Sequence, residues 1–174
     1  MPRLLERLGV ECVCVNCEPT GEFAHNPEPL PSNLVELCEA VVANGADFGV
    51  SVDPDVDRLA LICENGQPFG EEYTLVSVAD YLLSRIYNEA LETGKSIEEI
   101  AAPYQMVTSS NLSSSRALRD VTEQYGGEYC TAAVGEVNVT TKMREAGALI
   151  GGEGNGGVIY PALHYGRDAM VGVA

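Results

Sequence analysis

The spacing of hydrophobic positions changes along the chain, and each change predicts an element. From Ser32 to Asn44, apolar residues recur at intervals of three and four, which predicts a helix capped by Ser32 and ended by Gly45. The same spacing predicts a longer helix over 72–92, closed by Gly94. Shorter helices are predicted over 2–8, 114–125 and 137–146.

Apolar and β-branched runs between turn residues predict strands. These runs cover 10–15, 48–52, 59–63, 128–133 and 148–151, with a further apolar stretch over 100–107. Strands that alternate with helices predict mainly parallel sheets covered by helices. The predicted fold class is therefore α/β, with two consecutive mixed, mainly parallel three-layer α/β domains over 1–94 and 95–174.

Both ends of the chain fall inside predicted elements. A helix comes first, where an alternating unit would have a strand before it, and Asp168–Ala174 starts like a helix and stops. We therefore expect two domains cut from a longer protein, the first without its first strand and the second with a truncated C-terminal helix. An incomplete sheet leaves backbone groups unpaired, so self-association through that sheet edge is also expected.

Charge and hydropathy narrow the class of protein. The 174 residues are 45% hydrophobic and carry a net charge of −16, which disfavours binding to nucleic acid or to an anionic membrane surface. No apolar run approaches the ~18 residues of a membrane span, and residues 1–7 have no apolar signal-peptide core. The expected location is the cytoplasm.

The six cysteines do not have the spacing of a zinc site. Cys14 and Cys17 form a C-x-x-C pair, but no second pair of ligands follows it. Cys12 and Cys14 lie in the predicted strand 10–15, so buried, reduced thiols are expected.

Three carboxylates alternate between two apolar runs at Asp53, Asp55 and Asp57. In an extended segment alternate side chains share one side, so these three acids converge and repel one another. A divalent cation turns that repulsion into attraction, and oxygen ligands without His or Cys suit Mg²⁺ or Ca²⁺. Arg58, next in sequence, would provide a phosphate clamp beside the metal.

Two other interpretations of this segment are open. The acids and Glu64 have the spacing of an EF-hand loop, but Arg58 stands where the turn requires Gly, and strands rather than helices flank the loop. A solvated acidic turn is the second alternative.

A glycine-rich loop over 151–157 surrounds Glu153 and Asn155. Glycine lets the backbone approach a ligand closely, and a carboxylate and an amide suit neighbouring sugar hydroxyls. A flexible glycine turn is the alternative interpretation.

Together these segments resemble a known family. The run Asp53-Pro54-Asp55-Val56-Asp57-Arg58 resembles the metal-binding loop of the α-D-phosphohexomutases, the family of phosphoglucomutase, phosphomannomutase and phosphoglucosamine mutase. The run 151–157, followed by His164-Tyr165-Gly166-Arg167-Asp168, is similar to that family's sugar-recognition loop and the segment after it. The two motifs have the family's order and separation, and the similarity covers essentially the whole chain.

The resemblance implies a function and a set of site residues. It implies interconversion of hexose 1-phosphate and hexose 6-phosphate through a phosphoserine and a bisphosphorylated sugar. It further implies Mg²⁺ held by Asp53, Asp55 and Asp57. Arg58 would contact the phosphoserine, and Glu153 and Asn155 would bind sugar hydroxyls. Glucose, mannose and glucosamine phosphates all remain open as substrates.

The chain also departs from the family pattern. Ala24-His25-Asn26-Pro27 resembles the phosphoserine segment but has no serine, so the nucleophile is expected outside this chain and the chain alone is expected to be inactive. Certain members have His where Gly157 stands, so an acid/base role cannot be transferred to that position. Glu136 either contacts ligand or begins a helix. A non-catalytic module that binds sugar phosphate or a divalent metal is the alternative function.

Overall fold

A β-hairpin and a four-stranded sheet organise the chain in the computed structural model, which describes residues 1–174. The strands are β1 (Phe48–Val52), β2 (Leu59–Cys63), β3 (Gln105–Asn111), β4 (Glu128–Ala132), β5 (Ala148–Glu153) and β6 (Gly157–Ile159). The helices are α1 (Pro2–Arg7), α2 (Val35–Asn44), α3 (Glu71–Thr93), α4 (Ile97–Ala101), α5 (Ala117–Gln124), α6 (Glu136–Ala146) and α7 (Ala169–Val173), with a 3₁₀ turn over Pro31–Asn33.

The N-terminal unit is built on the antiparallel pair β1 and β2. Val52 lies opposite Leu59, so residues 53–58 form the loop that joins the two strands. Helix α2 covers the hairpin, and the buried residues between them are Leu34, Val41, Ala60 and Ile62. Helix α2 begins at Val35 after the 3₁₀ turn, so the prediction that Ser32 caps it is wrong.

The predicted strand over 10–15 is also wrong. These residues form no ladder, and Val13 is 58% exposed. A strand needs a hydrogen-bonded neighbour as well as β-branched residues, and the only partner of β1 is β2. The cysteines are all unpaired, but Cys14 and Cys17 are exposed and none is fully buried, which contradicts the expected burial.

The C-terminal unit has the expected three layers. Its strands run in the order β4-β3-β5-β6, with β3 parallel to β4 and β5, and only β6 antiparallel. Helices α3 and α5 pack on one face, through a core that includes Leu75, Leu83, Leu118 and Ile150. Helix α6 covers the other face, where Val139 and Met143 are fully buried. The α/β fold class is confirmed.

The long helix α3 packs with the C-terminal sheet. Its buried residues Leu75, Ala79 and Leu83 share one core with Leu149 and Val158. Gly94 ends the helix in a left-handed conformation, as the sequence predicted. We propose that the division between the two units lies before α3, and not near Gly94.

The two units meet where their loops approach each other. The N–H of Leu59 donates to the carbonyl of Gly156 at 3.0 Å, and the N–H of Ala169 donates to the carbonyl of Val56 at 3.0 Å. The loop between β1 and β2 therefore lies against the loop between β5 and β6. None of the helices has both the length and the apolar composition needed to cross a membrane.

Candidate functional site

The loop 53–58, called the acidic loop below, brings its three aspartates together. One carboxylate oxygen from each of Asp53, Asp55 and Asp57 lies within 4.8 Å of the others. Asp53 is buried, Asp57 is half-buried and Asp55 is exposed, so the group opens to solvent on the side of Asp55. Val56, in the left-handed region at φ 61°, makes the turn between Asp55 and Asp57.

Asp53 organises this loop. Its Oδ1 accepts from the backbone N–H groups of Asp57 and Arg58, both at 3.0 Å. Its Oδ2 accepts from Arg58 Nε at 2.7 Å. Charged acceptors form the stronger hydrogen bonds, so one buried carboxylate fixes the backbone that presents the other two.

The pKa values of Asp53 and Asp57 move in opposite directions. Burial raises the pKa of Asp53, but hydrogen bonds from the Arg58 backbone, from Asp57 and from the Arg58 side chain outweigh it and lower that pKa to about 2. Burial, as the largest cause, and the adjacent Asp53 and Asp55 together raise the pKa of Asp57 to about 6, while Arg167 opposes this rise.

The guanidinium of Arg58 is engaged on two sides. Besides its bond to Asp53, its Nη1 and Nη2 donate to the two carboxylate oxygens of Glu28 at 2.8 and 3.3 Å. These hydrogen bonds raise the pKa of Arg58 and lower that of Glu28. Glu28 therefore occupies both terminal nitrogens of the Arg58 guanidinium.

Glu153, at the end of β5, is 6% exposed and has a partner for each oxygen. Its Oε1 accepts from Asn111 Nδ2 at 2.6 Å and from the Gly135 N–H at 3.3 Å. Its Oε2 accepts from Arg167 Nη1 at 2.8 Å. These three donors use three of the roughly four acceptor positions of the carboxylate, so one position on Oε2 remains.

Asn155 lies in the same loop and is half-buried. Its Oδ1 accepts from the Gly157 N–H at 3.3 Å. Its side-chain NH₂ makes no hydrogen bond within the chain, so this group remains free to donate to a ligand. Glu136 is the first residue of α6, and its Oε1 accepts from the Arg167 N–H at 3.0 Å. It therefore both begins a helix and contacts the segment that contains Arg167.

The residues of the acidic loop fit a hard divalent cation. The donor set consists of three carboxylates with no nitrogen or sulfur ligand, which is the chemistry that Mg²⁺ and Ca²⁺ prefer. Asp55 is exposed, while the Asp53 oxygens already accept hydrogen bonds. The strands on both sides exclude the helix-flanked EF-hand.

Sequence reasoning missed the partners that hold these site residues in place. Asn111 lies 42 positions from Glu153 in the sequence, and Glu28 lies 30 positions from Arg58. Arg167 lies 14 positions from Glu153. No local pattern marks such contacts. Their only signal was residue type: an Asn between the predicted apolar stretch 100–107 and the predicted helix 114–125, and charged side chains in loops.

A separate concavity of about 340 Å³ lies elsewhere on the hairpin. Its lining includes Phe48, Leu61 and Phe69 from the N-terminal unit and Val173 from α7. None of the residues that line it belongs to the acidic loop or to the glycine loop, so it is not part of this site.

The chain is thus an α/β protein in which an acidic loop, whose carboxylates could hold a hard cation, lies against a glycine loop with a buried glutamate. Residues 1–66 match the model of phosphoglucomutase/phosphomannomutase α/β/α domain II, and residues 73–174 match that of domain III. The chain belongs to the phosphoglucomutase/phosphomannomutase family.

Individual relatives agree with this assignment. The chain is 38% identical to a phosphoglucomutase/phosphomannomutase of Thermococcus kodakarensis, over 100% of this chain and 35% of the relative. It is 32% identical to a protein of Methanopyrus kandleri named "Probable phosphoglucosamine mutase", over 99% of this chain and 35% of the relative. The chain thus spans about a third of the length of these relatives.

A solved structure shows the same fold. A phosphoglucomutase/phosphomannomutase family protein of Burkholderia thailandensis superimposes with a TM-score of 0.80 at 28% identity, covering 99% of this chain and 34% of that one. The arrangement of the two units is therefore shared with a family member of known structure.

Proposed function

We propose that this chain supplies the metal-binding and sugar-recognition parts of a phosphohexomutase. The reaction is the interconversion of hexose 1-phosphate and hexose 6-phosphate through a phosphoserine and a bisphosphorylated sugar. The observation that carries the proposal is the convergence of Asp53, Asp55 and Asp57 within 4.8 Å, in a chain of this family.

Asp53, Asp55 and Asp57 would hold Mg²⁺. When bound, the ion would supply positive charge to a transferring phosphoryl group, which is the main electrostatic need of that reaction. Asp53 sets the backbone of the loop, and the exposed Asp55 presents its carboxylate on the open side. The three residues therefore divide the work between positioning and binding.

Arg58 would contact the phosphate on the serine. Its side chain is 24% exposed and its guanidinium is oriented by Asp53, so it is preorganised for an anion. Glu28 occupies the two terminal nitrogens. Because Glu28 is an exposed loop carboxylate, a phosphate dianion can replace it without disturbing the core.

Glu153 and Asn155 would select sugar hydroxyls. The Asn155 NH₂ offers a donor and the Glu153 carboxylate an acceptor, and both project from one glycine loop that faces the acidic loop. Hydroxyl recognition of this kind serves binding and orientation and needs no proton transfer. The relatives are named phosphoglucomutase/phosphomannomutase and probable phosphoglucosamine mutase, so we propose a hexose phosphate as the substrate class.

A cytoplasmic location is part of the same proposal. Six unpaired cysteines, two of them exposed, suit a reducing compartment.

The direct test is a coupled mutase assay on the complete protein that contains this chain, with the 1-phosphates of glucose, mannose and glucosamine, in the presence and absence of Mg²⁺. We expect Mg²⁺-dependent turnover of at least one substrate, and at least ~100-fold lower activity in Asp55→Asn. Asp47→Asn, which removes the same charge from an exposed residue outside the loop, should retain activity. Full activity of Asp55→Asn at saturating Mg²⁺ would contradict the proposal.

A further inference from the structure

Arg167 lies between the acidic loop and the glycine loop and contacts both. Its Nη1 donates to Glu153 Oε2 at 2.8 Å, and its Nη2 forms an ion pair with Asp57 Oδ2. Its Nε lies 3.5 Å from Glu136 Oε2, too far for a good hydrogen bond, and this buried N–H has no other partner. One guanidinium therefore faces three carboxylates from three separate segments.

Gly157 makes room for this side chain. A Cβ at position 157 would lie 2.5 Å from Arg167 Cδ, although the Gly157 backbone is not left-handed. The requirement for glycine here is therefore space, because the stem of Arg167 passes directly over the strand.

The backbone around Arg167 is fixed as well. The Arg167 N–H donates to Glu136 Oε1 at 3.0 Å, and the Asp168 N–H donates to the carbonyl of Val158 at 2.8 Å. The next residue, Ala169, bonds to Val56 in the acidic loop. The guanidinium is thus anchored at its stem and can redistribute its contacts only among the three carboxylates that surround it.

In the proposed function Asp57 binds the metal and Glu153 binds sugar hydroxyls, yet both carboxylates pair with the guanidinium of Arg167. A divalent ion at the three aspartates would compete with Arg167 for the negative charge of Asp57. When the ion is bound, Asp57 attracts Arg167 less strongly, so the guanidinium moves toward Glu153 and Glu136. Conversely, when Glu153 loses its charge, Arg167 pairs more strongly with Asp57. This contact then lowers the affinity of the aspartates for the metal.

We propose that Arg167 is a positioning residue that couples metal occupancy of the acidic loop to the hydrogen bonding of Glu153. The inference rests on the proposed function, which assigns a divalent cation to the aspartates and sugar hydroxyls to Glu153. Because coupling between sites is reciprocal, each site changes the affinity of the other by the same factor.

The test is an NMR titration of the ¹⁵N-labelled 174-residue chain with MgCl₂. The Asp57 amide, bonded to Asp53, reports the metal loop, and the Gly135 amide, bonded to Glu153, reports the sugar loop. In the wild-type chain we expect both resonances to move with the same Mg²⁺ dependence. In Arg167→Gln the Asp57 resonance should still move, while the Gly135 resonance should not.

Affinities from the same titrations give a second readout. Glu153→Gln should lower Mg²⁺ affinity about 5-fold in the wild-type background and less than about 2-fold in Arg167→Gln. Gly157→Ala places a methyl group 2.5 Å from Arg167 Cδ and 3.2 Å from Asn155 Oδ1, and should also remove the response of Gly135. Arg119→Gln, which removes an exposed arginine paired only with Asp120 and Glu123, should behave as wild type.

The outcomes separate this inference from the proposed function. If the Gly135 resonance responds equally in Arg167→Gln and in wild type, the coupling is wrong and the metal site stands. Loss of both responses in Asp55→Asn would support the assignment of the metal to the aspartates. If neither amide of the wild-type chain responds to Mg²⁺, the coupling and the metal assignment are both overturned.

Discussion

The N–H of Leu59 donates to the carbonyl oxygen of Gly156 at 3.0 Å, and this bond joins the two units of the chain. Leu59 is the first residue of β2, directly after the acidic loop, and Gly156 lies in the glycine loop. This main-chain contact therefore helps to set the relative position of the two loops, together with the side-chain contacts of Arg167 to Asp57 and Glu153.

Substitution of Gly156 tests this junction. A Cβ at position 156 would lie 2.3 Å from the Leu59 carbonyl oxygen, and the residue has φ +88°. We expect Gly156→Ala to lower the free energy of unfolding by more than about 2 kcal/mol, because backbone strain and collision add. Gly94→Ala also places alanine at a positive φ but meets no atom within 4 Å, so it should cost about 1 kcal/mol. Urea denaturation compares the two, and equal losses would show that the contact with Leu59 is not tight.

Asn111 is predicted to hold Glu153 in place. Its Nδ2 donates to Glu153 Oε1 at 2.6 Å, and its Oδ1 accepts from the hydroxyls of Ser113 and Ser114. Asn111→Asp replaces this buried donor by a second carboxylate and should destabilise the chain by about 3 kcal/mol.

A second substitution provides the control for Asn111. In Asn111→Asp combined with Glu153→Gln, the new amide can donate to the new carboxylate, so part of the loss measured by urea denaturation should be recovered. Asn138→Asp, at an exposed position of α6, should change stability by less than about 1 kcal/mol. If the double variant is no more stable than Asn111→Asp, the interaction with Glu153 does not account for the loss.

Features of this chain that depend on residues close together in the sequence could be predicted, whereas features that depend on distant residues could not. The helices α3 and α6 follow from periodicity, because buried residues recur every four positions, at Leu75, Ala79 and Leu83 in α3 and at Val139 and Met143 in α6. The capping box of Ser96 and Glu99, which opens α4, is likewise carried by residues close together in the sequence. The strand over 10–15 was predicted wrongly because composition cannot show whether a ladder partner exists.

The same limit applies to the site. The alternation of Asp53, Asp55 and Asp57 carries the prediction that they converge, since the period of an extended segment is two. The charge of Arg167 was visible in the sequence, but its three carboxylate partners lie in segments that only the tertiary fold brings together. Expected roles followed from local sequence, whereas the network that orients the side chains required the structure.

Glu28 is predicted to compete with anions for Arg58. Glu28→Gln removes the bidentate contact but leaves the bond between Arg58 and Asp53. We expect inorganic phosphate, titrated against the Arg58 Nε–H resonance, to bind the variant at least about threefold more tightly. Glu22→Gln, an exposed acid of the same loop region without an arginine partner, is the matched control and should leave phosphate affinity unchanged. Unchanged affinity in Glu28→Gln would mean that Glu28 does not compete with phosphate for Arg58.

The outer edge of β1 is proposed as a site of self-association. Strand β1 pairs only with β2, and its first residue, Phe48, is 46% exposed. An unpaired edge can add a strand from another copy, and a charged residue at the edge opposes this. Sedimentation velocity should show concentration-dependent association that Phe48→Lys reduces. Leu91→Lys, at a 69% exposed position of α3, should leave it unchanged. A wild-type chain that stays monomeric at every concentration would contradict the proposal.

Mg²⁺ binding to the acidic loop is the central claim, and isothermal titration calorimetry of the 174-residue chain tests it most directly. We predict one Mg²⁺ site in the wild-type chain, with affinity at least about tenfold lower in Asp55→Asn, because one of three converging carboxylates is lost. Asp47→Asn, with the same change of charge at an exposed position outside the loop, should bind as wild type does. Equal Mg²⁺ affinity in the wild-type chain and in Asp55→Asn would contradict the account.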